Sequence, residues 1–147
     1  MIEVRVQAAD FDPGAELARL ERQGGGAVAS FTGLVRGDGG LVALELEHYP
    51  GMTERVMREV AAEAMARWPL KGVVAIHRIG RLAPGARIVL AAAASPHRHA
   101  ALEACAFLID FLKVRATFWK REHFGDGAAR WVEARGADDA AAGRWAG

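Results

Sequence analysis

The chain has 147 residues, 52% of them hydrophobic and 25% charged, which fits one globular domain over residues 1–147 and excludes a disordered chain. Its 19 Lys and Arg residues nearly balance 18 Asp and Glu residues, and this net charge of +1 excludes the broad basic surface of a general nucleic-acid binder. The single cysteine excludes an intrachain disulfide, and no apolar run reaches the roughly 20 residues of a membrane span. These features predict a cytoplasmic protein that contacts neither nucleic acid nor membrane.

In the first part of the chain, short strands alternate with a helix. Residues 2–6 alternate apolar and charged side chains, which predicts a strand, and Asp12-Pro13 opens a short helix. Residues 27–35 and 42–49 have strand patterns and flank the glycine-rich segment 36–40. Together these two segments predict a β-hairpin with a long, mobile tip.

The rest of the chain continues this mixture. A helix is predicted from Pro50-Gly51 to just before Pro69, two strands at residues 73–79 and 87–94, and a second long helix starting at Ser95-Pro96. The apolar stripe of that second helix is predicted to be Leu102, Cys105, Ile109 and Leu112. Residues 117–124 and 130–134 predict a hairpin, and residues 137–145 a short terminal helix that can fray. The order of elements favours an α+β fold with a mostly antiparallel sheet.

The segment 111–122 is the most informative stretch, because it places cations among large apolar residues. Lys113, Arg115, Lys120 and Arg121 alternate with side chains that are normally buried. Some of these cations must therefore line a partly dry pocket that suits an anionic ligand or a reactive amine. Favourable placement at a helix C-terminus and a role as base or nucleophile explain Lys113 equally well. Lys120 is either part of a surface ion pair or a lysine held by a carboxylate, and the spacing does not decide between them.

Another cationic segment, Ser95-Pro96-His97-Arg98-His99, opens the second long helix. Cations are unfavourable at the positive end of a helix unless an anion binds there, so His97 and Arg98 indicate an anion site, with a solvated helix start as the alternative. His97 and His99 have no carboxylate or cysteine at ligand spacing, so no metal site is predicted.

Three further groups have simpler interpretations. Arg36 ends a strand beside the glycine loop, where it is either a ligand-gripping residue or an ordinary exposed arginine. Cys105 is predicted to be an inert core thiol rather than a sulfur carrier. His48, His77 and Arg78 are predicted to be solvent-facing or hydrogen-bonded structural groups.

Six blocks of sequence, taken in order, closely resemble the large, catalytic subunit of molybdopterin synthase. They are Phe31-Thr32-Gly33-Leu34-Val35-Arg36, Leu46-Glu47-His48-Tyr49-Pro50-Gly51-Met52, Ile76-His77-Arg78-Ile79-Gly80, Ser95-Pro96-His97-Arg98, the run from Leu112 to Glu122, and Trp131-Val132-Glu133-Ala134. The resemblance implies the hammerhead variant of an α+β fold, with helices packed on the sheet and a C-terminal β-hairpin.

The resemblance also implies an activity and partners. Members of this family convert cyclic pyranopterin monophosphate to molybdopterin by transferring two sulfurs, which form the dithiolene. The sulfur comes from the C-terminal thiocarboxylate of a small ubiquitin-like subunit, so no permanently bound cofactor is expected. Two catalytic subunits form a homodimer and two small subunits complete a heterotetramer, whose pockets draw residues from both catalytic subunits.

By position, the resemblance assigns Lys113 and Lys120 as the catalytic residues. One lysine would move protons or polarise the thiocarboxylate, and the other would neutralise developing charge. The implied substrate-binding residues are Leu34, Val35, Arg36, His97, Arg98, Lys113, Lys120, Arg121 and Glu122.

Two other hypotheses fit the same residues. In the first, the protein is a non-catalytic adaptor whose cations dock a phosphate ligand or an acidic partner tail. In the second, it is a sulfurtransferase that works through Cys105.

Overall fold

A computed structural model describes residues 1–132 and 136–146. Its strands are β1 (Ile2–Gln7), β2 (Ala27–Leu34), β3 (Leu41–His48), β4 (Gly72–Arg78), β5 (Gly80–Leu82), β6 (Arg87–Ser95), β7 (Phe118–Phe124) and β8 (Ala129–Trp131). Its helices are α1 (Pro13–Glu21), α2 (Met52–Arg67), α3 (Arg98–Val114) and α4 (Gly136–Gly143). No helix in these described ranges is both long and apolar enough to cross a membrane.

Four strands form the first sheet, in the order β1-β4-β6-β2. The β1–β4 pair is parallel, and the β4–β6 and β6–β2 pairs are antiparallel. β4 and β6 are buried along nearly their whole length, because their runs of Val, Ala, Leu and Ile face packed layers on both sides of the sheet.

Helices cover both faces of the first sheet. The main core lies beneath α2 and α3, where Met57, Val60, Phe107 and Leu108 pack against side chains of β1, β4 and β6. α1 covers the other face through Leu20. The Asp12 side chain caps α1 by accepting the Ala15 N–H at 3.3 Å, and the Glu54 carboxylate accepts the Gly51 N–H at 3.1 Å where α2 begins.

The second sheet has the order β5-β3-β7-β8, and all its pairs are antiparallel. Because β2 belongs to the first sheet and β3 to the second, the predicted hairpin of residues 27–35 with 42–49 is wrong. β2 pairs instead with the more distant β6, and β3 with β5 and β7.

The predicted hairpin of residues 117–124 with 130–134 is confirmed up to Trp131, whereas Glu133 and Ala134 lie outside the described residues. The prediction for α3 needs two corrections. It begins at Arg98, since the Ser95 hydroxyl accepts the His97 N–H at 3.1 Å and holds the chain extended before the helix. In addition, Leu102 is 58% exposed, and smaller residues such as Ala101 and Ala104 face the core in its place.

The predicted terminal helix is present as α4, and Trp145 fixes the segment after it to α3. The Trp145 indole N–H donates to Asp110 at 2.7 Å, and its ring packs edge-on against Trp68 and Phe107. Trp119 and Trp131, in contrast, are 40% and 63% exposed on the second sheet.

Candidate active site

A pocket lies where the first sheet, the C-terminal end of α3 and the start of the second sheet meet. It encloses about 350 Å³, including its open mouth. Its lining residues are His77 and Val89 from the first sheet, Ile109, Leu112 and Lys113 from α3, Ala116 from the connection, and Phe118 and Lys120 from β7. Among these lining residues, two carry positive side chains and none is acidic.

Lys113 reaches the pocket from the last turn of α3. Ile109, one turn earlier on the same face, also lines the pocket, so the sequence spacing itself directs Lys113 there. Arg115 fixes this end of the helix to α2, because its guanidinium donates to both carboxylate oxygens of Glu63 at 2.9 and 2.8 Å.

Lys120 reaches the pocket from β7. Strand alternation puts Phe118 and Lys120 on one face, opposite His48 and Leu46 of β3 respectively. Phe118 packs against the main core, and this contact turns the face that carries Lys120 toward α3. Lys113 and Lys120, predicted from one short segment, are therefore brought together by two different elements.

His77 forms one wall of the pocket, a position that the local sequence pattern did not predict. Its ring stacks on Phe118 with centroids 3.7 Å apart and planes 16° apart, and its Nδ1 lies 2.8 Å from the carbonyl oxygen of Arg78. Burial lowers the pKa of His77 to about 3, although its hydrogen bond to Arg78 acts in the opposite direction, and the side chains of Lys120, Lys113 and His48 add to the lowering. His77 is hydrogen-bonded, as predicted, but it is buried rather than solvent-facing.

Arg78 has the structural role that was predicted for it. Its guanidinium donates to the carbonyl oxygens of Ala8 and Arg87, at 3.0 and 3.1 Å. These bonds tie the segment after β1 to the end of β4 next to His77.

His97 and Arg98 lie at the other end of α3, where both are exposed. At about 1.5 Å of rise per residue, the helix separates Arg98 from Lys113 by about 22 Å along its axis. One chain therefore does not bring the predicted phosphate-binding pair to the two lysines.

The residues at the end of β2 have different environments. Val35 is a buried core residue that packs with Leu41, Leu46 and Leu82, whereas Leu34 and Arg36 are exposed. The register places this strand end near the pocket, because Gly33 pairs with Val89, a lining residue that itself pairs with His77.

Arg121 and Glu122 do not line the pocket described here. Arg121 lies on the opposite face of β7 from Lys120, with its guanidinium 5.6 Å from the ring centroid of Trp131. Glu122 forms an ion pair with Arg130 at 3.1 Å. The roles of these two residues in substrate binding stay predictions.

Cys105 is a buried residue of α3 whose Sγ lies 3.4 Å from the Ala91 carbonyl oxygen. Burial raises the pKa of its thiol to about 11, so the group stays protonated at neutral pH. This environment agrees with core packing and opposes a sulfur-carrying role.

Comparison with known proteins identifies the family. The family model described as MoaE protein matches residues 6–115. The chain belongs to the MoaE family. The molybdopterin synthase catalytic subunit of Mesorhizobium japonicum is 56% identical to it over 146 residues, which cover 97% of this chain and 92% of that protein.

Solved structures agree with this family. A MoaE protein from Burkholderia ambifaria superposes with a TM-score of 0.85 at 48% identity, over 99% of this chain and 98% of that one. A complex of subunits 1 and 2 of molybdopterin-converting factor from Helicobacter pylori matches with a TM-score of 0.72 at 19% identity, over 91% of each chain, which shows a shared fold. The predictions of the family, of its α+β fold and of a molybdopterin synthase catalytic subunit, which is an enzyme of molybdenum cofactor biosynthesis, are thus confirmed.

Proposed function

We propose that this MoaE chain converts cyclic pyranopterin monophosphate to molybdopterin, with sulfur from the C-terminal thiocarboxylate of a small ubiquitin-like partner. The observation that carries the proposal is the convergence of Lys113 and Lys120 on one small pocket, most of whose other lining residues are apolar. Family membership supports the reaction, and the pocket supports the roles of individual residues.

The pocket chemistry suits the end of a peptide that carries a negative charge. Ile109, Leu112 and Phe118 exclude water from part of the wall, which strengthens the attraction between a thiocarboxylate and the two ammonium groups. A lysine close to the sulfur can move a proton as bonds form and break, and a second lysine can neutralise the charge that develops. No permanently bound cofactor is required in this scheme, because the partner brings the sulfur.

A second copy of the chain would complete the site. His97 and Arg98 are exposed about 22 Å along α3 from Lys113, so the substrate phosphate cannot bind to both ends of one helix at once. We propose that a homodimer places His97 and Arg98 of one copy, with Arg36, near the lysines of the other. Two small subunits would then give a heterotetramer.

The test is reconstitution from purified components. The wild-type protein, mixed with the pterin precursor and a thiocarboxylated ubiquitin-like partner, should form molybdopterin, which is measured after oxidation to its fluorescent derivative. The same partner with an ordinary C-terminal carboxylate is the control and should give no product. Partner binding without product from the thiocarboxylated form would refute the proposal and favour the adaptor hypothesis.

A further inference from the structure

His77 is a buried titratable residue beside the two lysines, and the proposed chemistry leaves it without a role. It lines the pocket from β4, whose other buried side chains are apolar. Phe118 stacks on its ring at 3.7 Å, and so fixes the plane of the imidazole relative to β7, the strand that carries Lys120.

The hydrogen bond of Nδ1 determines the tautomer of His77. A backbone carbonyl oxygen can only accept, so the 2.8 Å contact with Arg78 requires the proton to be on Nδ1. In a neutral imidazole, Nε2 then carries a lone pair and is an acceptor. Nε2 lies on the opposite side of the ring from the engaged Nδ1, in a residue that lines the pocket.

The surroundings keep this imidazole neutral. Burial is the main cause: it opposes a second proton on the ring and lowers the pKa of His77 to about 3. The hydrogen bond to the Arg78 carbonyl acts in the opposite direction, whereas the side chains of Lys120 from β7, Lys113 from α3 and His48 from β3 add to the lowering. At neutral pH His77 therefore cannot serve as general acid, and it is too weak a base to remove a proton from an ammonium group.

We propose that His77 is a positioning residue, whose Nε2 accepts a hydrogen bond from an ammonium group of the pocket and so orients that lysine toward the reacting sulfur. A neutral acceptor does this without neutralising the lysine, whereas a carboxylate in the same place would form an ion pair and cancel the charge that attracts the thiocarboxylate. Lys120 is the preferred donor, because it lies on the same face of β7 as Phe118, whose ring stacks on His77, and it lines the same pocket. This inference rests on the proposed function.

Two amide variants separate the role of Nε2 from that of Nδ1. Asparagine in His77→Asn keeps a donor near the position of Nδ1 for the Arg78 carbonyl, but its side chain is too short to replace Nε2. Glutamine in His77→Gln carries an amide oxygen close to the position of Nε2. We expect His77→Asn to lower kcat at least about tenfold with little change in the KM for the partner, and His77→Gln to recover most of the loss.

The pH profile gives a readout that a merely structural role would not change. A hydrogen bond to an ammonium group favours its charged form, so its loss lowers the pKa of the lysine. In His77→Asn the limb of the pH–rate profile that belongs to the lysine should therefore move to lower pH. Equal kcat values in the two variants, or a profile that does not move, would overturn the proposal.

Nitrogen-15 NMR of the imidazoles tests the same proposal without relying on turnover, and the tautomer and the titration are read from the wild-type protein alone. The chain has five histidines, and the His77 signals are those missing from His77→Gln, or, if that variant does not fold, those coupled to the ring of Phe118. We expect a neutral Nδ1–H tautomer from pH 8 to pH 5, with an Nε2 signal that shifts in Lys120→Met or Lys113→Met. Titration of His77 near pH 6.5, or an Nε2–H tautomer, would overturn the proposal.

These two tests distinguish failure of the inference from failure of the proposed function. If the wild-type protein forms no molybdopterin with the thiocarboxylated partner, the proposed function fails while the NMR result keeps its meaning. If the wild-type protein is active and His77→Asn is equally active, only the inference fails.

Discussion

The two ends of α3 both carry cations, but they are built in different ways. At the C-terminal end, Lys113 lies in a pocket closed by side chains of both sheets, and Arg115 is tied to Glu63. At the N-terminal end, His97 and Arg98 are exposed, and no side chain among the described residues caps the helix. One end thus forms a pocket within a single chain, whereas the other is an exposed helix start, for which we propose a role in binding the substrate phosphate next to a second copy.

This difference fits separate roles for the two ends of α3, one in chemistry and the other in substrate binding. A group that takes part in chemistry must be held before the substrate arrives, and the packed end provides this. A group that only binds a phosphate does not need to be held in a pocket beforehand. It can lie at an exposed helix start, where backbone N–H groups and cations already favour an anion. The substitutions that test this difference lie at the two ends of α3, at His77 in the pocket wall, and in the middle of α3.

The largest effect on activity is expected at the C-terminal end of α3. Lys113→Ala should lower molybdopterin formation at least about 100-fold, because it removes an ammonium group from a pocket where no other described side chain of α3 can replace it. Product formed per unit time from a thiocarboxylated partner measures the loss. Lys71→Ala, at an exposed lysine outside the pocket, is the matched control. Full turnover by Lys113→Ala would show that this end is not catalytic.

Mixing two impaired variants, at a substrate concentration too low for Arg98→Ala to turn over, tests whether the two ends of α3 meet across copies. If Lys113 of one copy works with Arg98 of the other, refolding Lys113→Ala together with Arg98→Ala gives heterodimers with one intact site. About a quarter of wild-type activity should return, because random pairing makes half the dimers heterodimers and each of these has one of two sites. No recovery, in a mixture shown by mass spectrometry to contain heterodimers, would mean that each site uses a single copy.

At the exposed end, a smaller effect on binding is expected. Arg98→Ala, or Arg36→Ala at the end of β2, should weaken binding of the pterin phosphate by about 1.5–3 kcal/mol each if they make charge-assisted hydrogen bonds. Calorimetric titration of the assembled protein measures this change. Arg22→Ala, at an exposed arginine that follows α1, should have no effect. Unchanged affinity in Arg98→Ala would remove the helix start from the site.

The buried His77 in the pocket wall should make the free energy of unfolding depend on pH. The pKa of His77 falls from 6.5 in the unfolded chain to about 3 in the folded one, so the unfolded state binds more protons between these values. The free energy of unfolding therefore falls as pH decreases from 6.5 toward 3. Between pH 7 and pH 5, the wild-type protein should lose about 2 kcal/mol more than His77→Gln, as measured by urea unfolding. An equal loss in both proteins would contradict a neutral, buried His77.

The smallest effect is expected in the middle of α3. Cys105→Ser should retain activity within about twofold, because the thiol is buried and its pKa is raised to about 11, outside the range of a nucleophile. A serine hydroxyl can still donate to the Ala91 carbonyl. Loss of sulfur transfer in a folded Cys105→Ser protein would revive the cysteine-dependent hypothesis.

Local patterns predicted most of the individual elements. The alternation in β1, the Asp12-Pro13 start of α1 and the hairpin of β7 with β8 depend on residues close in sequence, and all three are present. The pairing of β2 with β6 was missed, because it joins segments about 60 residues apart and no local pattern encodes it. The glycine-rich segment after β2 looked like the tip of a hairpin, but it carries the chain from one sheet to the other.

For the candidate active site, the sequence determined which chemistry was available: four cations embedded among large apolar residues in segment 111–122 meant that some of them line a partly dry pocket. The family resemblance added the reaction in which such a pocket is used. Only the tertiary structure decided that His77 forms its wall and that α3 keeps Arg98 about 22 Å from Lys113. The physical reason is that residue spacing fixes directions within one helix or strand, whereas a pocket is formed where separate elements pack against each other.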